Sequence, residues 1–269
     1  MTDRGKQGRA QRIRPVHVGA CVLGEGLPKI CVPVMGASIA AMEAAAQQAA
    51  AAGADLIELR IDSLSAMPTL KQAEAACRAV RRASGLPVLF TLRTQRDGGP
   101  GSADAPAYEA LLTQIAGTGA CDALDCELSI GEEAFARIAQ AAHEAGVPVV
   151  GSSHEFGGIG DVQRITQWFA RQQALGADVC KAAVMAHSAR QSLEAALAMV
   201  TAGETLSVPY IAIIMGRCGV FTRTACGMMG SCLTFGMVGQ ESAPGQMEAG
   251  ILRGIILEME RAQNGKEGC

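Results

Sequence analysis

Lys181 is the residue in this chain best placed for covalent chemistry. It sits in Ala177-Asp178-Val179-Cys180-Lys181-Ala182-Ala183-Val184-Met185, a short apolar run that reads as a buried strand. The other lysines, Lys6, Lys29, Lys71 and Lys266, fall in the tails, beside a proline turn or on a helical pattern. An ammonium inside an apolar strand is costly unless it is paired or deprotonated. A neutral amine held in a closed site is what Schiff-base formation requires. A lysine that snorkels out at a strand end, or one that joins a buried ion pair, fits the same run, and the strand alone does not choose.

Other chemistry-bearing residues follow apolar runs of the same kind. Glu58-Leu59-Arg60-Ile61-Asp62 closes one of them, and strand alternation puts Glu58 and Arg60 on a common face. Thr91-Leu92-Arg93 closes another and leads into Arg96-Asp97-Gly98-Gly99. Ser152-Ser153-His154-Glu155 ends a third, Met215 a fourth, with Arg217 and Arg223 beyond it. Ser242-Ala243-Pro244-Gly245-Gln246 follows the last run. A ring of structural ion pairs would account for Glu58 and Arg60, but it needs neither Lys181 nor His154.

The histidines sort by position. His17 lies in a hairpin, and His143 ends a helical pattern, where a cation suits the helix dipole. His154 and His187 both follow strands and stand equal as a general base. His187 also reads as the entry to a helix beginning at Ser188. A base titrating near neutrality suits removal of a proton beside an iminium. Arginine in excess over lysine around these runs points to an anionic substrate. Arg223 is suited to clamp a carboxylate through two parallel hydrogen bonds, and a salt bridge on the outside of the fold is its other reading. The Ser242 to Gln246 loop fits either closure over a substrate or a turn that caps the last helix.

The elements that must position these residues repeat one theme: a short β-rich run, a polar loop, and an Ala-rich helical pattern ending near glycine. The spacing predicts a hairpin over 16–29 with Gly24-Glu25-Gly26 as its turn. The first unit pairs a strand at 29–34 with a helix at 38–52, N-capped by Ser38 and stopped at Gly53. The next pairs 55–60 with 68–83, Gly85 following. The third pairs 87–93 with 104–116, Pro106 in the first helical turn. The fourth pairs 123–128 with a helix to about 145, where Ser129 and Glu132 have capping-box spacing. The fifth, sixth and seventh pair 147–153 with 161–174, 177–184 with 188–200, and 208–215 with a short piece at 224–229. The eighth pairs 232–238 with 244–262. Eight such units, with strands apolar on both faces, predict an α/β chain folded as a (β/α)8 TIM barrel whose N-terminal mouth is closed by the hairpin. The rival, an open doubly wound sheet, lacks its G-x-G-x-x-G turn after the first strand.

Composition is consistent with this. At 269 residues the chain suits one barrel domain, expected over 15–269, behind a basic, polar and disordered tail at 1–14. An apolar fraction of 49% with 18% charged residues excludes general disorder. A net charge of −3 gives no reason to expect a nucleic-acid partner. No apolar run reaches the roughly 20 residues of a membrane helix, and the tail has no secretory pattern. The 10 cysteines are scattered through apolar runs without metal-ligand spacing, which points to buried free thiols in a reducing cytoplasm.

In order and spacing the chain resembles the type I 3-dehydroquinate dehydratases, the Schiff-base class. The resemblance rests on Pro28-Lys29-Ile30-Cys31-Val32-Pro33, Glu58-Leu59-Arg60, Phe90-Thr91-Leu92-Arg93, Ser152-Ser153-His154, the Lys181 strand and Ser242-Ala243-Pro244-Gly245-Gln246. It implies dehydration of 3-dehydroquinate to 3-dehydroshikimate, the third step of the shikimate pathway to chorismate and the aromatic amino acids. It implies that Lys181 forms an imine with the substrate ketone and that His154 moves the protons. Arg223 would hold the substrate carboxylate with Ser242 nearby. Glu58, Arg60, Arg93 and Gln246 would bind ring hydroxyls, and Met215 would pack near the ring. No cofactor or metal is implied, and a homodimer is. Three positions depart from the family pattern. Asp97 stands where a glutamate usually orients the histidine, Thr222 where a serine precedes the arginine, and Glu155 where aspartate or asparagine follows the histidine. The resemblance therefore leaves open whether the shorter Asp97 weakens the contact with His154 or reaches it through water. Two other functions fit the residues alone: a Schiff-base aldolase acting on a sugar phosphate, and a non-catalytic binder of small acids.

Overall fold

The computed structural model describes residues 13–239 and 241–264, Asn264 by its main chain alone. The predicted tail at 1–14 lies outside the described residues except for its last two. Of these, Arg14 donates its N–H to the Ser207 carbonyl at 3.1 Å, which ties it to the barrel.

Among the described residues, ten strands and eight α-helices follow in order. β1 (Val16–Val18) and β2 (Cys21–Leu23) form the hairpin. The eight parallel strands are β3 (Lys29–Val34), β4 (Leu56–Arg60), β5 (Val88–Thr91), β6 (Ala123–Glu127), β7 (Val149–Glu155), β8 (Val179–Met185), β9 (Tyr210–Met215) and β10 (Leu233–Phe235). Their helices are α1 (Ile39–Ala51), α2 (Leu70–Ser84), α3 (Ala105–Ala116), α4 (Glu132–Glu144), α5 (Gln163–Ala174), α6 (Ala189–Gly203), α7 (Phe221–Thr224) and α8 (Ala249–Asn264). The strand order is β10-β3-β4-β5-β6-β7-β8-β9. The ring closes where Cys232 donates to the Tyr210 carbonyl at 2.8 Å, beside a parallel bridge between Tyr210 and Ser231. This is a (β/α)8 barrel, and the open sheet is excluded.

The hairpin closes the N-terminal mouth as expected. Val16, Val18, Cys21 and Leu23 are buried in one cluster with Cys31, Leu56, Leu89, Ala123, Val150, Val179, Ile211 and Leu233, inward-facing residues from every barrel strand. Its turn differs from expectation. Gly19-Ala20 joins the strands, with Gly19 at φ +56°, and Gly24-Glu25-Gly26 instead leads the chain out toward β3. A two-residue connection needs positive φ, and Gly19 supplies it nearest the pairing register.

Several helix ends match the sequence signals. Ser38 caps α1 through Ala41 N–H, Asp104 caps α3, and Gly85 ends α2 in the left-handed region. The capping box at Ser129 does not form. Gly131 is the N-cap of α4, and Ser129 lies in the 3-10 turn before it. The box needs its glutamate at the third helical position, and Glu132 is the first residue of α4. The seventh helix is one turn over 221–224 rather than 224–229. The last strand is shorter than expected, and α8 starts at Ala249, which leaves 242–248 as a loop.

The N-terminal rim is held by repeated carboxylates. Asp55, Asp122 and Asp178 stand just before β4, β6 and β8. They accept the N–H groups of Ile30, Val88 and Val149 at 2.7, 2.8 and 2.9 Å. Asp55 and Asp122 are ion-paired to Arg253 and Arg81, and Asp178 to Arg14 at 3.5 Å, with His143 Nε2 2.8 Å from it. The nine described cysteines are all free, and all but Cys218 are buried.

Candidate active site

Strand parity decides what enters the barrel. The residues two and four places beyond the apolar bottom layer point inward at the C-terminal mouth. On β4 these are Glu58 and Arg60, on β6 Asp125 and Glu127, on β7 Ser152 and His154, and on β8 Lys181 and Ala183. Of these, Glu58, Arg60, His154, Lys181 and Ala183 join loop residues in lining a cavity of about 610 Å³, its open mouth included, while Asp125, Glu127 and Ser152 are fully buried behind its wall. All ten predicted site residues lie on its wall: Glu58, Arg60, Arg93, Asp97, His154, Lys181, Met215, Arg223, Ser242 and Gln246. Gly98, Phe156, Ala183, Ile213, Phe235 and Ala243 complete it. His187 does not line it and is exposed, and His143 is bound 2.8 Å from Asp178 at the opposite end of the barrel.

Lys181 is paired in this structure. Its Nζ lies 3.2 Å from Asp125 Oδ2 and 3.6 Å from Glu58 Oε1, and it sits over the Phe235 ring at 4.6 Å. Its side chain is 5% exposed and faces the cavity, so it does not snorkel outward. Glu58 is itself held by Thr91 Oγ1 at 3.2 Å.

Asp125 was not singled out by the sequence reading, nor was Glu127. Asp125 is fully buried and joins Lys181, Arg93 at 2.9 Å and Ser152 Oγ at 2.7 Å. Burial alone would raise its pKa, but the Arg93 and Lys181 cations hold it well below the usual carboxylate range. Glu127 accepts from Arg93 Nη1 at 2.8 Å and from Thr94 N–H at 2.9 Å. Burial raises its pKa, against the pull of Arg93 and Thr94. Arg93 is thus committed to two buried carboxylates and to Ser152 at 3.2 Å, and its main-chain N–H donates to Asp62 at 2.9 Å. Asp62 also fixes Arg60, whose Nη2 donates to it at 2.7 Å. The signal for Asp125 and Glu127 was present in the sequence. They share parity with Ala123 on the same strand, so they must face inward where a purely apolar strand would need no charge.

His154 Nδ1 lies 2.8 Å from Asp97 Oδ2. An ionised carboxylate only accepts, so Nδ1 carries the proton and Nε2 keeps its lone pair. Burial, with the nearby Arg93 and Lys181 cations, pushes the His154 pKa down to about 4, against the raising effect of Asp97. The imidazole is therefore neutral near pH 7. Asp97 responds in the opposite sense: burial would raise it, but the bonds from His154 and Ser129 and the charge of Arg93 keep it low. Asp97 ends a 3-10 turn over Gln95–Asp97. The turn folds back on the strand because Gly101 and Gln95 exchange bonds with it: Gly101 N–H donates to the Arg93 carbonyl at 3.0 Å, and Gln95 N–H to the Gly101 carbonyl at 2.9 Å. Gly99 packs so closely that a Cβ there would lie 2.3 Å from the Arg93 carbonyl oxygen.

Arg223 is the other unusual group. It is 1% exposed, and among the described residues it makes no ion pair. Its Nη1 and Nη2 donate only to the carbonyls of Phe235 at 3.3 Å and Pro244 at 3.2 Å, and its Nε has no partner. Burial pushes its pKa down to about 10, slightly opposed by Glu241. It is not on the outside of the barrel, so the exterior salt bridge is excluded. The Ser242 to Gln246 loop closes beside it. Gln246 Oε1 accepts from Ser242 N–H at 2.7 Å, and Gly216 N–H donates to the Pro244 carbonyl at 3.2 Å.

Chemically, one cavity offers a buried amine, a neutral imidazole with its free nitrogen available, and a guanidinium with unfilled donors. The model of the type I 3-dehydroquinases matches residues 30–262. A 3-dehydroquinate dehydratase of Listeria monocytogenes is 36% identical over 242 residues, covering 90% of this chain and 96% of that one. One from Klebsiella pneumoniae is 37% identical over 234 residues, covering 86% and 93%. The crystal structure of the type I 3-dehydroquinate dehydratase of Clostridium difficile, with covalent modified comenic acid, superposes with a TM-score of 0.88 at 31% identity, covering 93% of this chain and 99% of that one. Sequence and fold agree over nearly the whole length, and the chain belongs to the type I 3-dehydroquinase family.

Proposed function

We propose that this chain dehydrates 3-dehydroquinate to 3-dehydroshikimate through an imine on Lys181. The observation that carries the reading is the pairing, within one cavity, of the buried Lys181 amine with Arg223, a buried guanidinium that has no carboxylate of its own. A ketone-bearing carboxylic acid fits both: the carboxylate satisfies Arg223 and the carbonyl is presented to Lys181.

The steps follow from the groups present. The Lys181 amine attacks the C3 carbonyl carbon, and water leaves to give an iminium. The iminium draws electrons and acidifies the C2 proton, which His154 Nε2 removes to form an enamine. His154, now protonated, returns its proton to the departing C1 hydroxyl, which leaves as water. Hydrolysis of the conjugated iminium frees the lysine and the product, so one water is lost overall. Asp97 keeps His154 in the tautomer that exposes Nε2. Asp125 and Glu58 supply negative charge beside the cationic imine. Ser242 and Gln246 close the carboxylate end, and Arg60, steadied by Asp62, presents its guanidinium to ring hydroxyls. From the segments after β9 and β10 the cavity receives a single guanidinium, Arg223, with a hydroxyl and an amide, which suits a carboxylate better than a phosphate.

The test is reductive trapping. Borohydride added with 3-dehydroquinate should leave a ligand adduct on the peptide containing Lys181, and Lys181→Ala should lose both adduct and turnover. Turnover retained in Lys181→Ala, with no adduct in the parent chain, would exclude the imine.

A further inference from the structure

A helix residue that faces a sheet is normally apolar, yet α5 turns Gln172 inward on the same face as Ile165 and Phe169, fully buried. A buried primary amide is costly unless its donors and acceptor are matched. Gln172 Oε1 accepts the Lys181 main-chain N–H at 3.0 Å. Its Nε2 donates to the Lys181 carbonyl at 3.0 Å and to Ser153 Oγ at 3.0 Å. One planar group therefore binds both polar main-chain groups of Lys181 and the hydroxyl immediately before His154. β7 makes room for it: a Cβ on Gly151 would lie 3.1 Å from the Gln172 Cβ, and 2.9 Å from Phe135 and from Ala177.

From this arrangement we infer that Gln172 is a positioning residue for the reaction, fixing Lys181 and the β7 segment that carries His154 at one spacing. The inference rests on the reading of Lys181 as the imine-forming amine. The two peptide planes that meet at the Lys181 Cα set the direction in which its Cβ leaves the strand, and Gln172 holds both of them. β7 and β8 run in register with Ser152 opposite Lys181 and His154 opposite Ala183, so a clamp at Lys181 and Ser153 sets the offset between amine and imidazole. Gln172 is not part of the cavity wall and acts only through these neighbours.

The experiment compares the full chain with Gln172→Met, which keeps length and volume but loses all three bonds. Steady-state rates, borohydride-trapping rates and thermal melts are measured together. A misplacement of the reacting pair should lower kcat about tenfold and slow trapping by the same factor, while KM stays within about twofold because Arg223, Ser242 and Gln246 are untouched. Gln172→Glu keeps the acceptor for Lys181 N–H but not the donors, and should fall between. A lower melting temperature with unchanged kcat and trapping rate would mean Gln172 only supports the fold, and the inference would be wrong. Should Gln172→Met fail to fold, Ser153→Ala removes one of the three bonds and should lower kcat about two- to threefold at constant KM, and an unchanged kcat there overturns the inference. Trapping that fails in the parent chain overturns the imine reading itself; trapping that succeeds equally in parent and variant overturns only the role of Gln172.

Discussion

Asp97 Oδ2 lies 2.8 Å from His154 Nδ1, so the shorter carboxylate at this position reaches the imidazole directly. The backbone turn over Gln95–Asp97 brings it within reach where a longer side chain is usual. Asp97→Asn should therefore cost more than orientation alone, since the charge that favours the transient imidazolium is lost; kcat is expected to fall about tenfold or more. Asp97→Glu should also lose rate. An extra methylene in this buried site costs about 1–3 kcal/mol of overpacking and displaces the imidazole. Steady-state kinetics of both variants, beside their melting temperatures, check this.

The acid limb of activity should lie low. His154 has its pKa depressed from 6.5 to about 4, so it remains an unprotonated base well below the ordinary histidine value. kcat/KM is expected to stay flat as pH falls through 6.5 and to drop only near about 4. Stability follows the same group. A histidine depressed in the folded state contributes fully above 6.5, and the contribution, roughly 3 kcal/mol, is lost as pH falls toward about 4. A rate profile that breaks near 6.5, or a melt insensitive to pH over that window, would contradict the buried neutral imidazole.

Arg223 is a buried charge with no carboxylate partner among the described residues. Arg223→Met should raise the melting temperature of the free chain, because an unpaired buried guanidinium is replaced by an apolar side chain. The same variant should raise KM by about a hundredfold, as expected for a lost charge-assisted carboxylate clamp of roughly 3 kcal/mol. Calorimetric melts with and without a substrate-like carboxylic acid separate the two effects. The ligand should stabilise the parent chain and leave the variant unchanged.

Asp125 is the shared counter-charge of Arg93 and Lys181. Asp125→Asn keeps the shape but removes that charge, leaving two buried cations short of a partner. A loss of about 3–5 kcal/mol in stability is expected. The yield of borohydride-trapped adduct should drop as well, since the iminium loses its neighbouring carboxylate. Chemical denaturation and adduct mass measure the two together.

The alternation of strand and helix was legible because each of the eight strands carries its own apolar run and most helices carry a cap, as at Ser38, Asp104 and Gly85. Lys181 was legible because a charge inside such a run is rare, and the order of motifs from Glu58 to Gln246 pointed to the family. The strand parity that aims Glu58 and His154 inward was also there to read, and it applied equally to Asp125 and Glu127. What periodicity could not supply was adjacency. Parity says that a residue faces the barrel interior, but only closure of the sheet and the stagger of its strands bring Asp125 to within 3.2 Å of Lys181, 56 positions along the chain. His154 and His187 were equal by position; the loop after β5 decided between their surroundings by folding Asp97 onto one and leaving the other in solvent. Sequence determined which groups this protein has and which face they take. Tertiary structure decided which of them are paired, which is neutral and which, like Arg223, is left unsatisfied, because burial and neighbouring charge exist only once the ring is closed.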